Sequence, residues 1–212
     1  MKEDYEFIID GDFINGTFSS RAPKVKLNSV RFLFKDSSAF LLMIIFLFFA
    51  LIGGLIFALW SKILGGIILV IALMIAALNW RYISVRKLEF KNAVLCPGIV
   101  IEETTPTVLI LANMTCDGSG LKAWAVKSED CRSLHPFSHQ LGTRVPCVSA
   151  FLGSGDEGSW DKMISYPLTS GTGNMQKLNE TLARLSDEEE WQILEDAIRQ
   201  KKFPAIGKTL RL

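Results

Sequence analysis

Residues 39–80 read AFLLMIIFLFFALIGGLIFALWSKILGGIILVIALMIAALNW. The block is apolar almost throughout, with one polar break at Ser61-Lys62. A membrane crossing needs about 20 apolar residues, so the stretch is too long for one span and suits two. In hydrocarbon every backbone N–H and C=O must be paired within its own segment, which favours helices. The expected elements are a transmembrane helix over 39–60 and a second over 63–80. Trp60 at the turn, and Trp80 with Tyr82 at the far end, suit the headgroup region. Lys62 can carry its charge from the turn into that region. The competing interpretation is a buried apolar hairpin in a soluble core, but uninterrupted apolar runs of this length belong to membranes.

Basic residues set the orientation. Arg21, Lys24, Lys26, Arg31 and Lys35 precede the first span, and Arg81, Arg86, Lys87 and Lys91 follow the second. The turn carries Lys62 alone. The positive-inside bias then places both termini in the cytoplasm of a multi-pass inner (plasma) membrane protein. Arg81, Arg86, Lys87 and Lys91 are the expected membrane-surface residues, contacting anionic headgroups. Between Ala39 and Trp80 there is no Asp, Glu, Arg or His. Ion and proton pathways need such groups inside the span, which argues against a pump or channel acting alone. Gly53-Gly54, Gly65-Gly66, Gly54…Ala58 and Ala72…Ala76 let helices approach closely, within the hairpin or across a homo-oligomer face.

The chain has 212 residues, enough for the hairpin and one modest soluble domain over 88–212. Its net charge of +1 implies no attraction to nucleic acid. The start, MKEDYEF, has no apolar core of a signal peptide. Cys96, Cys116, Cys131 and Cys147 form no CxxC pair and read as reduced, half-buried residues of a cytoplasmic domain. Three Asn-x-Ser/Thr triplets, at Asn15, Asn113 and Asn179, have no meaning on that side of the membrane.

Residues 1–38 form an N-terminal cytoplasmic segment. Tyr5–Ile9 is strand-like, with turns at Asp10-Gly11 and Asn15-Gly16. Ser19–Ser29 reads as a basic linker, and Val30–Lys35 as an interfacial segment. The strands at 5–18 are too few to be stable alone, so this hairpin is expected to pack on or pair with the 88–212 domain, with Phe7, Ile9, Phe13 or Phe18 entering a shared core.

Beyond the spans, Gly, Pro and Asp punctuate short apolar runs. Strands are expected at Ala93–Glu103, broken by Cys96-Pro97-Gly98, and at Thr107–Met114, Leu121–Lys127, Thr143–Leu152 and Trp160–Leu168. Asn174 can cap a helix bearing Leu178, Leu182 and Leu185 on one face. Ser186-Asp187-Glu188-Glu189 is a capping box before a helix striped by Trp191, Leu194 and Ile198. Phe203-Pro204 ends it, and Ile206–Leu212 can form a terminal strand. The fold class is therefore membrane-anchored α+β: a two-helix transmembrane hairpin plus a small antiparallel β-barrel or sandwich-like domain with C-terminal helices.

The candidate metal cluster is Cys131, His135, His139 and Cys147. His135 and His139 have one-face helical spacing, but Pro136 lies between them and no HExxH or paired CxxC is present, so loop histidines are the simpler account. Ser170-Gly171-Thr172-Gly173-Asn174 leads into a helix and can bind an anion, though it lacks the Walker lysine. Gly153–Gly158 reads as an acidic hairpin turn. No catalytic residue and no cofactor motif stands out.

Cys96-Pro97-Gly98-Ile99-Val100, Arg144-Val145-Pro146, Trp160 with Tyr166-Pro167-Leu168, Trp191…Leu194 and Phe203-Pro204…Gly207 resemble the signposts of an uncharacterised bacterial family, a domain of unknown function behind membrane helices. The resemblance covers Leu88 to Leu212 and implies no activity and no functional residues. In layout alone the chain also resembles short membrane proteins with a cytoplasmic OB-like barrel. The expected role is a membrane-anchored binding or scaffolding module whose partners are the lipid bilayer and a protein. An enzyme or ligand sensor with a site near Cys131–Cys147 or Ser170–Asn174 is the alternative.

Overall fold

The computed structural model describes residues 6–10, 13–18, 22–115, 122–131, 134–152 and 160–212, with side chains from residue 22 onward except those of Asn92 and Leu152. The Gly153–Gly158 loop, Cys116 and the side chains of Phe7, Ile9, Phe13 and Phe18 lie outside them.

Strands β1 (Glu6–Asp10) and β2 (Phe13–Phe18) pair antiparallel in a sheet of their own. β2 runs beside strand β6 (Arg144–Leu152) of the main sheet without joining it. The next residues depart from the expected linker. Val25 and Leu27 are buried in the main core, because their alternation turns both inward while Lys24 and Lys26 stay exposed. Helix α1 (Ser29–Lys35) follows, capped by Asn28 Oδ1 on the Arg31 N–H.

Two long helices come next, α2 (Ser37–Leu59) and α3 (Lys62–Asn92). Asp36 caps α2 through the Ala39 N–H, and Ser61 caps α3 through the Leu64 N–H. Both helices are long and apolar enough to cross a membrane, and little of the apolar window of each is buried, 6% in α2 and 11% in α3. Gly65 is a point of close approach between them: a Cβ there would lie 2.3 Å from the Phe57 nitrogen. Gly53 likewise faces Ile68 and Leu69, whereas Gly54 and Gly66 meet open space. Two of the four glycines thus serve packing inside the hairpin.

α3 does not stop at Trp80. It continues for three further turns, because Tyr82, Ile83, Arg86 and Phe90 repeat at helical spacing against the β-rich domain. Only Ala93 separates it from β3 (Val94–Glu102), which runs unbroken through Cys96-Pro97-Gly98. β4 (Thr107–Asn113), β5 (Trp124–Asp130), β6 (Arg144–Leu152), β7 (Lys162–Pro167) and β8 (Thr209–Arg211) complete an antiparallel sheet of order β7-β6-β3-β4-β5-β8. The sheet curls into an open half-barrel: β7 and β8 remain as edges, so neither a closed barrel nor a two-sheet sandwich forms among the described residues.

Both faces of this sheet are covered. In β4, Leu109 and Leu111 face the helices while Val108, Ile110 and Ala112 face the concave side. The concave core also holds Cys96, Val145, Cys147, Phe151, Trp160 and Met163. Gly98 is needed there, since a Cβ would come within 2.5 Å of Cys147 Sγ. The other core joins the sheet to α1, the end of α3, α4 (Met175–Ala183) and α5 (Glu188–Arg199) through Phe32, Phe90, Leu168, Leu178, Trp191 and Leu194. Asn174 caps α4 as expected. The cap of α5 is Asp187 rather than Ser186, its carboxylate accepting from the Glu189 N–H.

Candidate functional site: the junction of hairpin and half-barrel

The base of the hairpin and the soluble domain meet around Arg86. Its guanidinium lies 4.8 Å from the Tyr82 ring centroid and 4.9 Å from that of Tyr166 on β7. It forms an ion pair with Glu89, one helical turn on. The two side chains are only 12% and 11% exposed. Arg86 therefore points into the protein, unlike the headgroup contact its position after the span suggests. Paired charges in such a place are held by each other and by the cation–π contacts. Of the other expected surface residues, Lys87 stands over the Trp80 ring at 5.4 Å.

The Phe32 ring packs against Tyr82, Phe90 and Tyr166, with centroids 6.0–6.2 Å away, so α1, α3 and β7 share one aromatic cluster. The Tyr82 hydroxyl donates to the Asp36 carboxylate at 3.2 Å, tying α3 to the residue that caps α2. Asn79 Nδ2 donates to the Ala39 carbonyl at 3.3 Å, one turn further into the hairpin.

Beside this junction is a cavity of about 310 Å3 lined by Lys35, Asp36, Tyr82, Glu129, Asp130 and Tyr166, among others. Burial pushes the Glu129 carboxyl above the usual carboxylate range. Its ion pair with Lys127 pulls it partly back, and Asp36 and Asp130 add to the rise. Burial and Arg31 both lower the Lys35 ammonium. Burial also keeps the Tyr166 hydroxyl protonated. Of the charged groups on this wall Glu129 is already paired with Lys127, which leaves Asp36 and Asp130 beside Lys35.

The candidate metal ligands do not converge. Cys131 and Cys147 are buried in the concave core with Cys96, and the thiols of Cys131 and Cys147 are free. Burial raises the Cys131 and Cys147 thiols well above their ordinary value, which leaves them unreactive. His139 Nε2 accepts from the Leu134 N–H at 3.3 Å, and the His135 carbonyl accepts from Arg31. Among the described residues no three His, Cys, Asp or Glu groups come together to hold a metal. An expected outcome follows: in the native protein a maleimide leaves Cys96, Cys131 and Cys147 unmodified, while denaturant exposes all three, as peptide mass mapping would read. Rapid native labelling of Cys131 would contradict its burial.

The Ser170–Asn174 loop is a packing device. A Cβ on Gly171 would lie 2.3 Å from the Phe90 ring, and one on Gly173 2.8 Å from Arg31. Arg31 Nε donates to the Thr169 carbonyl at 2.9 Å, and the Gly171 carbonyl accepts from the Asn28 N–H at 2.7 Å. These glycines let the N-terminal segment and α3 dock. The junction itself escaped sequence reasoning, although the spacing Tyr82, Arg86, Glu89, Phe90 could have shown it.

An apolar two-helix hairpin whose second helix enters the core of an open antiparallel half-barrel defines an α+β class. Within it, the chain belongs to the family described as protein of unknown function (DUF3239), whose model matches residues 81–202. The match begins at Arg81 and so takes in the last turns of α3 together with β3 to β7, α4 and α5, and it ends before β8. No curated protein matches the chain. A crystal structure of a "putative membrane protein" from Corynebacterium diphtheriae is similar at 20% identity and a TM-score of 0.48, covering 56% of this chain and 99% of that one.

Proposed function

We propose that this protein is a membrane-anchored binding module, holding its half-barrel at a fixed attitude against the cytoplasmic face of the inner membrane and recruiting a protein partner there. The observation that carries the reading is the continuity of α3, whose apolar part is exposed while its last turns bury Phe90 and the Arg86–Glu89 pair in the soluble core. Such an anchor fixes a domain's orientation, which serves recognition at a surface better than a flexible tether does. Basic residues flanking both spans favour cytoplasmic termini. Edge strands β7 and β8 offer backbone groups to a partner strand. Thiols held protonated in the core, and a junction whose charges are already paired, speak for binding rather than catalysis.

The test is labelling and cross-linking of the full chain in oriented membrane vesicles. A cysteine at Ser61 should react only from outside and one at Ser186 only from inside. A photo-cross-linker at Thr209 of β8 should trap one discrete protein. Reaction of both cysteines from the same side would overturn the anchoring. Cross-linking to lipid alone, from both β8 and β7, would overturn the partner.

A further inference from the structure

We infer that the segment after α5, residues 200–208, is a second membrane contact that rests on anionic lipid beside the hairpin. From Gln200 onward the sequence carries Lys201, Lys202, Lys208 and Arg211 and no Asp or Glu, while Arg199 before them is paired with Asp196 at 3.5 Å. Between these charges Phe203 is 44% exposed and Ile206 58%. The exposure does not come from a loose chain. The Lys202 N–H donates to the Ala197 carbonyl, Gly207 to Ser128 and Lys208 to Ala205, at 2.8–2.9 Å, and Gly207 takes a positive φ of 76°. A tied-down loop that presents an aromatic and an aliphatic side chain among lysines has the composition of an interfacial membrane contact.

Its position says what covers it. Ile206 lines the same cavity as Lys35, Asp36, Ser37 and Ser38, which are the last residue of α1, the cap of α2 and the first residues of α2. The segment therefore stands level with the point where the chain turns into its first apolar helix. A bilayer around that helix lies next to Ile206. Phe203 and Ile206 then enter the headgroup boundary, and Lys201, Lys202 and Lys208 meet lipid phosphates. The inference rests on the membrane reading above and adds to it a lipid preference carried by the soluble domain.

The experiment uses the full chain with Cys116 replaced by serine. A single cysteine bearing an environment-sensitive fluorophore replaces Ile206, Glu188 at the opposite end of α5, or Leu55 within α2. Each protein is reconstituted into phosphatidylcholine vesicles with or without 30% phosphatidylglycerol. The probe at 206 should be blue-shifted in the anionic vesicles, and at least threefold more quenched by a lipid-borne nitroxide than the probe at 188. Lys201→Gln, Lys202→Gln and Lys208→Gln together should remove that difference. Iodide quenching at 206 equal to that at 188, in both compositions, would overturn the inference. A blue-shifted probe at 206 that lipid nitroxide fails to quench would also overturn it, because protein then covers the segment. The probe at 55 separates the two readings. If it is quenched from lipid while 206 is not, the hairpin is inserted and only the second contact falls; if neither is quenched, the membrane reading falls as well.

Discussion

Glu89→Ala is expected to destabilise the full-length protein by about 3–5 kcal/mol, the usual cost of leaving one partner of a buried ion pair uncompensated. The remaining Arg86 would stay between Tyr82 and Tyr166, nearly out of reach of water. Removing both charges should cost far less: Arg86→Met with Glu89→Leu keeps the volume and leaves no orphan, and such exchanges are often neutral. Denaturant unfolding in mild detergent, followed through near-ultraviolet ellipticity, gives both numbers. A loss below about 1 kcal/mol for Glu89→Ala, the range of exposed pairs, would mean that water reaches Arg86.

The second large effect is expected from Phe32→Ala. Phe32 is fully buried where α1, α3 and β7 meet, and truncating such a ring costs about 3–5 kcal/mol through lost transfer energy and the cavity left behind. α1 should then detach before the half-barrel melts, freeing the backbone at Lys24, Lys26 and Arg31 for cleavage by trypsin. Phe203→Ala, made at an exposed ring, should change stability in detergent by less than about 0.5 kcal/mol. Since Phe32 and Arg86 both touch Tyr82 and Tyr166, combining Phe32→Ala with Glu89→Ala should give less than the sum of the two losses. Strict additivity would show that the aromatic cluster and the ion pair hold the junction independently.

What could be read from the sequence follows the range of each signal. The hairpin is visible because apolar length is a property of one segment alone. β4 and β6 are visible because Thr107 and Arg144 open apolar runs bounded by Pro, Gly and Asp. β5 begins at Trp124 and reaches Asp130, beyond the expected end at Lys127, because the Lys127–Glu129 pair neutralises two residues that look like loop. The stretch taken for a linker hides Val25 and Leu27 between lysines, so its burial depends on a core built by distant residues. The same holds at the junction. Arg86 resembles the other basic residues after the span until Glu89 and two tyrosine rings, one of them on β7, are brought around it. The openness of the barrel was equally hidden, since it depends on β7 and β8 failing to meet.

The uninterrupted passage of α3 into β3 sets a rotational phase between the apolar hairpin and the half-barrel. At about 1.5 Å and 100° per residue, one residue inserted near Leu69 would lift the half-barrel only slightly but turn it by more than a quarter of a revolution. Four inserted residues would bring it nearly back into phase, one turn higher. Asp36, held by Tyr82, and Ala39, held by Asn79, clamp the start of α2 to α3 below such an insertion. The misfit would therefore be driven toward the Trp60–Ser61 turn, where no soluble domain waits to resist it. Changes in length between Lys62 and Leu78 should for that reason be absorbed at the turn, with the direction in which the half-barrel faces held constant.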